Sequence, residues 1–270
     1  MVGATASLTL LTIAAAALAA PKGVEQRDYV EPTISSDLGK AIGGAIDIAD
    51  GAPVPTATPT GVWHGALAPQ YVTISIVNKR NVPISTSHAV NYGAPTPIYG
   101  DNGPGTIAVG ATASFAVPTG WAGNVAIIDA VTQDGRYSLP ENGDNSLIEG
   151  SFVVPSGYSE AYADIDVSYV NGFSGAITCS CNGAVVTGCN AWLWDLNPCP
   201  NDNGVGACAN PLRPSLTATA PTAFFAPCAG AAYTFPNDHA ANSWGACQSG
   251  QISCCVGQNC PRNPRQPYQG

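Results

Sequence analysis

Residues 161–181 of the chain, AYADIDVSYVNGFSGAITCSC, divide it into two chemically different parts. Upstream lie apolar, threonine-rich segments without a single cysteine, and from Cys179 onward sit all ten cysteines of the protein. Within the stretch, Ile165, Val167 and Tyr169 alternate with Asp164, Asp166 and Ser168, the period of two that marks a half-buried strand. Asn171-Gly172 follows as a turn signal, because both residue types tolerate positive φ. Two carboxylates are therefore expected on one strand face just before the chain enters a disulfide-held region, and that junction is where a ligand is expected.

The same periodicity extends outward. YVTISIV (71–77) puts Val72, Ile74 and Ile76 on one face, TIAVGATASFAV (106–117) reads as two short strands or one bent at Gly110, and NVAIIDAV (124–131) reads as a largely buried strand. Gly- and Pro-rich clusters at 100–105, 118–123 and 140–145 punctuate them. Short strands with such punctuation predict a mainly β protein, an antiparallel sandwich or barrel. After Cys179 periodicity fades, which predicts loops stapled together by disulfides among Cys179, Cys181, Cys189, Cys199, Cys208, Cys228, Cys247, Cys254, Cys255 and Cys260. A zinc site built on Cys179-x-Cys181 is the rival, but structural zinc favours longer Cys spacings and adjacent Cys254-Cys255 fits it poorly. The pairing is not legible in the sequence. WLWDLNP (192–198) is an apolar exception, read as a hydrophobic plug or as a ligand platform, and residues 261–270 are polar and expected to be disordered.

At the N-terminus, LTLLTIAAAALAA (8–20) is an apolar run ending in small residues, which predicts a signal peptide over 1–20, too short to span a bilayer. Residues 21–69, which include the Pro/Thr-rich APVPTATPT (52–60), read as a pro-segment or flexible extension. The expected organisation is then a sandwich over 70–178 and a cysteine-rich lobe over 179–260. An even cysteine count behind a signal peptide implies a secreted protein, extracellular or in a cell wall. Nine Lys and Arg, scattered, against eighteen Asp and Glu give a net charge of −9. That balance argues against nucleic acid, since phosphate binding needs clustered cations, and leaves neutral sugars, cationic ligands or basic proteins.

Four segments carry a family resemblance. DIDVSYVNGF (164–173) looks like the thaumatin-like (osmotin, pathogenesis-related) signature YDVSLVDGFN, and SLIEGSF (146–152) is similar to the family's TLAEFSL, placing a glutamate at Glu149. AFFAPCAGAAYTFPND (223–238) and YVTISIVNKRNVPIS (71–85) resemble its C-terminal and first-strand motifs, and all four occur in the family's order. The resemblance implies a flattened antiparallel β-sandwich with disulfide-rich loop lobes beside it. It also implies an acidic cleft between them, lined by an arginine, a glutamate and three aspartates. Of these, the glutamate falls on Glu149, one aspartate on Asp166 and a second on Asn171, which lacks the charge; Arg136 is the only arginine near the expected position, and the last aspartate has no counterpart.

Glu149, Asp164, Asp166, Asn171 and Phe173 are thus the candidate ligand-binding set. A carboxylate pair such as Glu149 and Asp166 could also act as general acid and base on a glycosidic bond, or could merely accept hydrogen bonds from loop backbone. Three readings follow: a wall protein that binds β-glucan in wall remodelling or antifungal defence, an endo-β-1,3-glucanase, and a structural or effector wall protein without a sugar ligand. No cofactor, metal, nucleic acid or membrane partner is expected, and the protein is read as a monomer. Of the three histidines, His239 in FPNDHAAN is read as a surface-loop residue rather than a site residue.

Overall fold

A computed structural model of the protein describes residues 70–99, 104–129 and 143–269. The signal peptide and pro-segment expectations, and Arg136, lie outside the described residues.

Alternation in the first strand sets the layering. In β1 (Tyr71–Asn78) Val72, Ile74 and Ile76 are buried while Tyr71 is 46% exposed. β1 pairs antiparallel with β5 (Thr112–Pro118), which carries Phe115 and Val117 on the same inward face. Facing them is a second sheet built from β2 (Ile84–Val90), β4 (Gly105–Ile107), β6 (Trp121–Asp129), β7 (Ser146–Val153) and β8 (Tyr162–Ser168), in the order β4-β2-β6-β7-β8. Its Val125, Ile127, Ile148, Phe152, Ile165 and Val167 join β1 and β5 in one buried cluster. Two sheets that share one apolar core make a β-sandwich. Residues 106–117 are two strands, as one reading of them held, and they lie in different sheets: β4 in the second, β5 in the first.

The cysteine-rich half does not begin a separate lobe at Cys179. With β3 (Ile98–Tyr99), β10 (Ile177–Cys181), β11 (Ala184–Cys189) and β13 (Gln251–Val256), the first sheet runs β11-β10-β13-β1-β5-β3. β13 lies parallel to β1, so this sheet is mixed rather than purely antiparallel. Cys179 faces Cys254 across β10 and β13 and is bonded to it. The physical reason is that buried half-cystines replace the aliphatic residues that announce a strand, as in ITCSC and QISCCV. The remaining bridges are Cys181–Cys247, Cys189–Cys228, Cys199–Cys208 and Cys255–Cys260. All ten cysteines are paired, which removes the zinc alternative.

Two turns show what their glycines are for. Asn182-Gly183, with φ of 52° and 81°, closes the two-residue hairpin from β10 to β11, the use to which Asn-Gly is best suited. Asn171-Gly172 does not have positive φ at either residue. Gly172, which opens β9 (Gly172–Phe173), is needed because a Cβ there would meet the Asp144 carbonyl oxygen at 2.3 Å. β9 pairs with β12 (Cys208–Ala209).

The C-terminal segment is also not a free tail. The Asn263 side chain is fully buried, and its Nδ2 donates to the carbonyls of Gly188 at 2.9 Å and Ala231 at 3.4 Å. Gln266, 2% exposed, accepts the Asn190 N–H through Oε1 at 3.2 Å. Polar composition suggested disorder, but these side chains satisfy loop backbone groups that have no sheet partner.

Candidate functional site

β7 and β8 pair antiparallel with Glu149 opposite Asp166 and Ser151 opposite Asp164, while β6 places Asn124 opposite Glu149. Because Ile148, Phe152, Ile165 and Val167 face the core, the alternating Glu149, Asp164 and Asp166 leave the other face of the same sheet. Directly opposed side chains in an antiparallel pair have Cβ atoms about 4.5–5.5 Å apart, so three carboxyl groups are gathered in one place. The sequence-expected acids are therefore brought together by register alone.

They are not on an open surface. Glu149 and Asp164 are 2% exposed and Asp166 is fully buried. The cover is a turn in the cysteine-rich half. The Ser243 N–H donates to Asp166 Oδ1 at 2.9 Å, its hydroxyl donates to the Ile165 carbonyl, and Tyr233 exchanges backbone hydrogen bonds with Val167 and Tyr169. Gln248 ties the same segment to both backbone groups of Ala163, and Cys181–Cys247 anchors it to β10. Glu149 Oε2, Asp164 Oδ1 and Asp166 Oδ2 have no hydrogen-bond partner among the described residues, nor do Ser151 Oγ and Asn124 Oδ1.

Burial raises the Glu149 carboxyl to about 7, helped by the charge of Asp164 and opposed by a hydrogen bond from Ser168. Burial likewise raises Asp164, to about 7. Asp166 is pushed well above the usual carboxylate range by burial and then by Asp164, against the lowering effect of the Ser243 N–H and, more weakly, Arg265. Burial also raises the nearby Tyr233 hydroxyl, with Asp166 adding to it. At mildly acidic pH such a cluster holds protons, so its members donate as well as accept hydrogen bonds.

An aromatic rim adjoins the acids. Tyr162 sits two residues before Asp164 on the same strand face, and Trp244 follows the covering Ser243. Their rings stack at 5.4 Å and 12°, with Tyr158 edge-on at 5.0 Å to Tyr162. All three are half-buried. Sequence reading missed this rim, although Tyr162 at the period-two position before Asp164 was a usable signal. It also missed Arg265, whose guanidinium binds the carbonyls of Ala240, Ala241, Asn242 and Val186 from the C-terminal segment.

The other candidate residues lie elsewhere. Asn171 is buried in the turn beyond β8, where its carbonyl accepts the Asn210 N–H at 3.1 Å. Phe173 is fully buried among Tyr169, Trp192 and Phe224 at 5.1, 5.6 and 6.0 Å, so it serves the core and offers no surface to a ligand. Trp192 and Trp194 pack against that core as the plug reading expected, with the Arg80 guanidinium 5.0 Å above the Trp192 ring. His239 is exposed on a short 3-10 turn, and the neighbouring Asp238 accepts from Thr234 Oγ1 at 2.7 Å and from two backbone N–H groups. Among the described residues no group of three His, Cys, Asp or Glu has the arrangement of a metal site. Five disulfides are compatible with an extracellular protein, and no helix among the described residues is long and apolar enough to cross a membrane. No family model matches the chain, and no curated protein matches it significantly.

Proposed function

We propose that the protein is a secreted thaumatin-like β-sandwich that binds cell-wall β-glucan at the carboxyl cluster and aromatic rim of β7 and β8. The observation that carries this reading is the register that sets Glu149, Asp164 and Asp166 together with unpartnered oxygens beside the Tyr162–Trp244 stack. Buried polar atoms without partners are rare in native proteins, and such atoms point to a ligand or a strained functional site. A glucan ring supplies what this face lacks: an apolar C–H face for an aromatic ring and a rim of hydroxyls for the carboxyls. Reaching the acids requires the turn around Ser243 to swing away from Asp166, so binding is coupled to opening of that cover.

Binding is favoured over hydrolysis because Asn171 puts an uncharged amide where the resemblance implies a further cleft carboxylate, so the acidic set is incomplete. One observation keeps the glucanase reading in play: a carboxyl raised to about 7, as Glu149 is, suits a general acid. Sedimentation with insoluble β-1,3-glucan separates the readings. Glu149→Gln with Asp166→Asn is expected to weaken binding about tenfold, since two disturbed hydrogen bonds at about 0.5–1.5 kcal/mol each sum to roughly one decade or more. Undiminished affinity in the folded double variant removes this face as the site. Reducing sugar released from soluble glucan by the unaltered protein, and lost in either single variant, establishes the enzyme instead.

A further inference from the structure

We propose a second carbohydrate site, for one neutral sugar ring, in the cavity between residues 190–196 and residues 258–269. It shares its ligand class with the reading above and none of its residues. The cavity has a volume of about 260 Å³ and is lined by Trp192, Asp195, Gln258, Arg262, Gln266 and Tyr268, among others. This is smaller than the roughly 300–1,000 Å³ of pockets for drug-sized ligands, and fits a single pyranose ring with its solvent. It also gives a use to the aromatic segment 192–198 beyond its packing on the core.

The lining chemistry selects the ligand class. Trp192 and Tyr268 bring aromatic side chains to the lining, and Tyr268 is 38% exposed. Arg80 lies over the Trp192 ring and helps fix its orientation. Four amide side chains, Asn190, Gln258, Gln266 and Gln269, line the wall, and an amide carries both donors and an acceptor of the kind that hydroxyls pair with. Asp195 and Arg262 cancel in charge, so neither an anion nor a cation is favoured over a neutral polyol.

The floor is rigid and the rim is loose. Gln266 accepts from the Asn190 N–H and donates to the Tyr268 carbonyl at 2.9 Å, while Asn190 Nδ2 donates to the Cys260 carbonyl at 2.9 Å. The Cys255–Cys260 bridge closes the loop that carries Gln258. At the rim, Gln258 Nε2 reaches Asp195 Oδ2 at 3.3 Å and Arg262 Nη1 reaches the Gln269 carbonyl at 3.5 Å. These long, exposed bonds are readily exchanged for sugar hydroxyls, whereas the fixed floor limits the ordering that binding requires. Two sites on one chain would also let a polymer bind with avidity greater than either site alone.

The test is a titration of the isotopically labelled full-length secreted protein with laminarihexaose, cellohexaose and mannohexaose, followed by amide and indole resonances. At least one of these sugars, at millimolar concentration, is expected to shift the Trp192 indole and the amides of 190–196 and 258–269. Tyr268→Ala and Asp195→Asn, both at exposed positions, should weaken that interaction about tenfold with the rest of the spectrum unchanged, and Glu149→Gln with Asp166→Asn should leave it intact. The inference is overturned if none of the three sugars moves the pocket resonances, or if Tyr268→Ala binds as tightly as the unaltered protein. Shifts confined to residues around Tyr162 and Trp244 would overturn this site and leave the carboxyl site standing; shifts confined to the pocket would do the reverse.

Discussion

The two faces of the β6–β7–β8 sheet are buried to a similar degree and are opposite in character. On the inner face Val125, Ile127, Ile148, Phe152, Ile165 and Val167 are 0–2% exposed and share one buried hydrophobic cluster. On the outer face Asn124, Glu149, Ser151, Asp164, Asp166 and Ser168 are 0–7% exposed, and five of these six carry a polar atom with no partner among the described residues. Burial stabilises the first set by roughly 1.5–3 kcal/mol per large side chain. In the second set each unsatisfied group costs about 1–3 kcal/mol. Burial alone therefore says nothing about which face holds the fold together; the outer face persists because the inner face and the disulfide-anchored cover hold it in place.

Truncating the inner face should break that support most severely. Phe152→Ala is expected to cost about 3–5 kcal/mol in denaturant unfolding, because the ring lies in the shared core of both sheets. A cost below 1 kcal/mol would mean that the two sheets do not depend on this core.

The outer face should announce itself through pH. Glu149 and Asp164 have folded pKa values of about 7, above their ordinary 4.5 and 3.8, and Asp166 is raised as well. Between about pH 4 and pH 7 the folded state thus binds more protons than the unfolded state, so stability is greatest below pH 4 from this source and falls as pH rises through 7. Glu149 alone contributes on the order of 3 kcal/mol at about 1.36 kcal/mol per pKa unit. His88, lowered to about 4 by burial, works in the opposite direction below its ordinary 6.5, one group against three. Urea denaturation from pH 4.5 to 8 should show stability declining, and Glu149→Gln, Asp164→Asn, Asp166→Asn together should flatten the decline. An unchanged slope in the triple variant would place the titrating groups elsewhere.

The smallest effect concerns the cover. Ser243→Ala removes the hydroxyl bond to the Ile165 carbonyl but keeps the N–H that binds Asp166. A loss of about 0.5–1.5 kcal/mol is expected, with faster hydrogen exchange at residues 242–245. If exchange there is unaltered, the hydroxyl does not hold the cover closed.

Much of this was legible in the chain. The alternation of β1 and β8 marked which of their residues face the core, and the same alternation placed Asp164 and Asp166 on one face. The resemblance of SLIEGSF to a family motif added Glu149 as a candidate companion. Strand alternation is local, set by the opposed directions of successive Cβ atoms, and needs no partner to be read. What it could not supply was everything that arrives from a distance. Ser243 reaches Asp166 and Trp244 reaches Tyr162 from about eighty residues downstream, β13 enters the first sheet parallel to β1, and the polar segment after Cys260 is ordered by Asn263 and Gln266. The sequence by itself determined a β protein with two carboxyls, Asp164 and Asp166, on one strand face; only the tertiary structure decided that Glu149 stands opposite Asp166 and that this face is closed rather than open. The reason is that exposure belongs to pairs of surfaces, and the surface that covers these acids is held by cysteine, asparagine and glutamine contacts that carry no period along the chain.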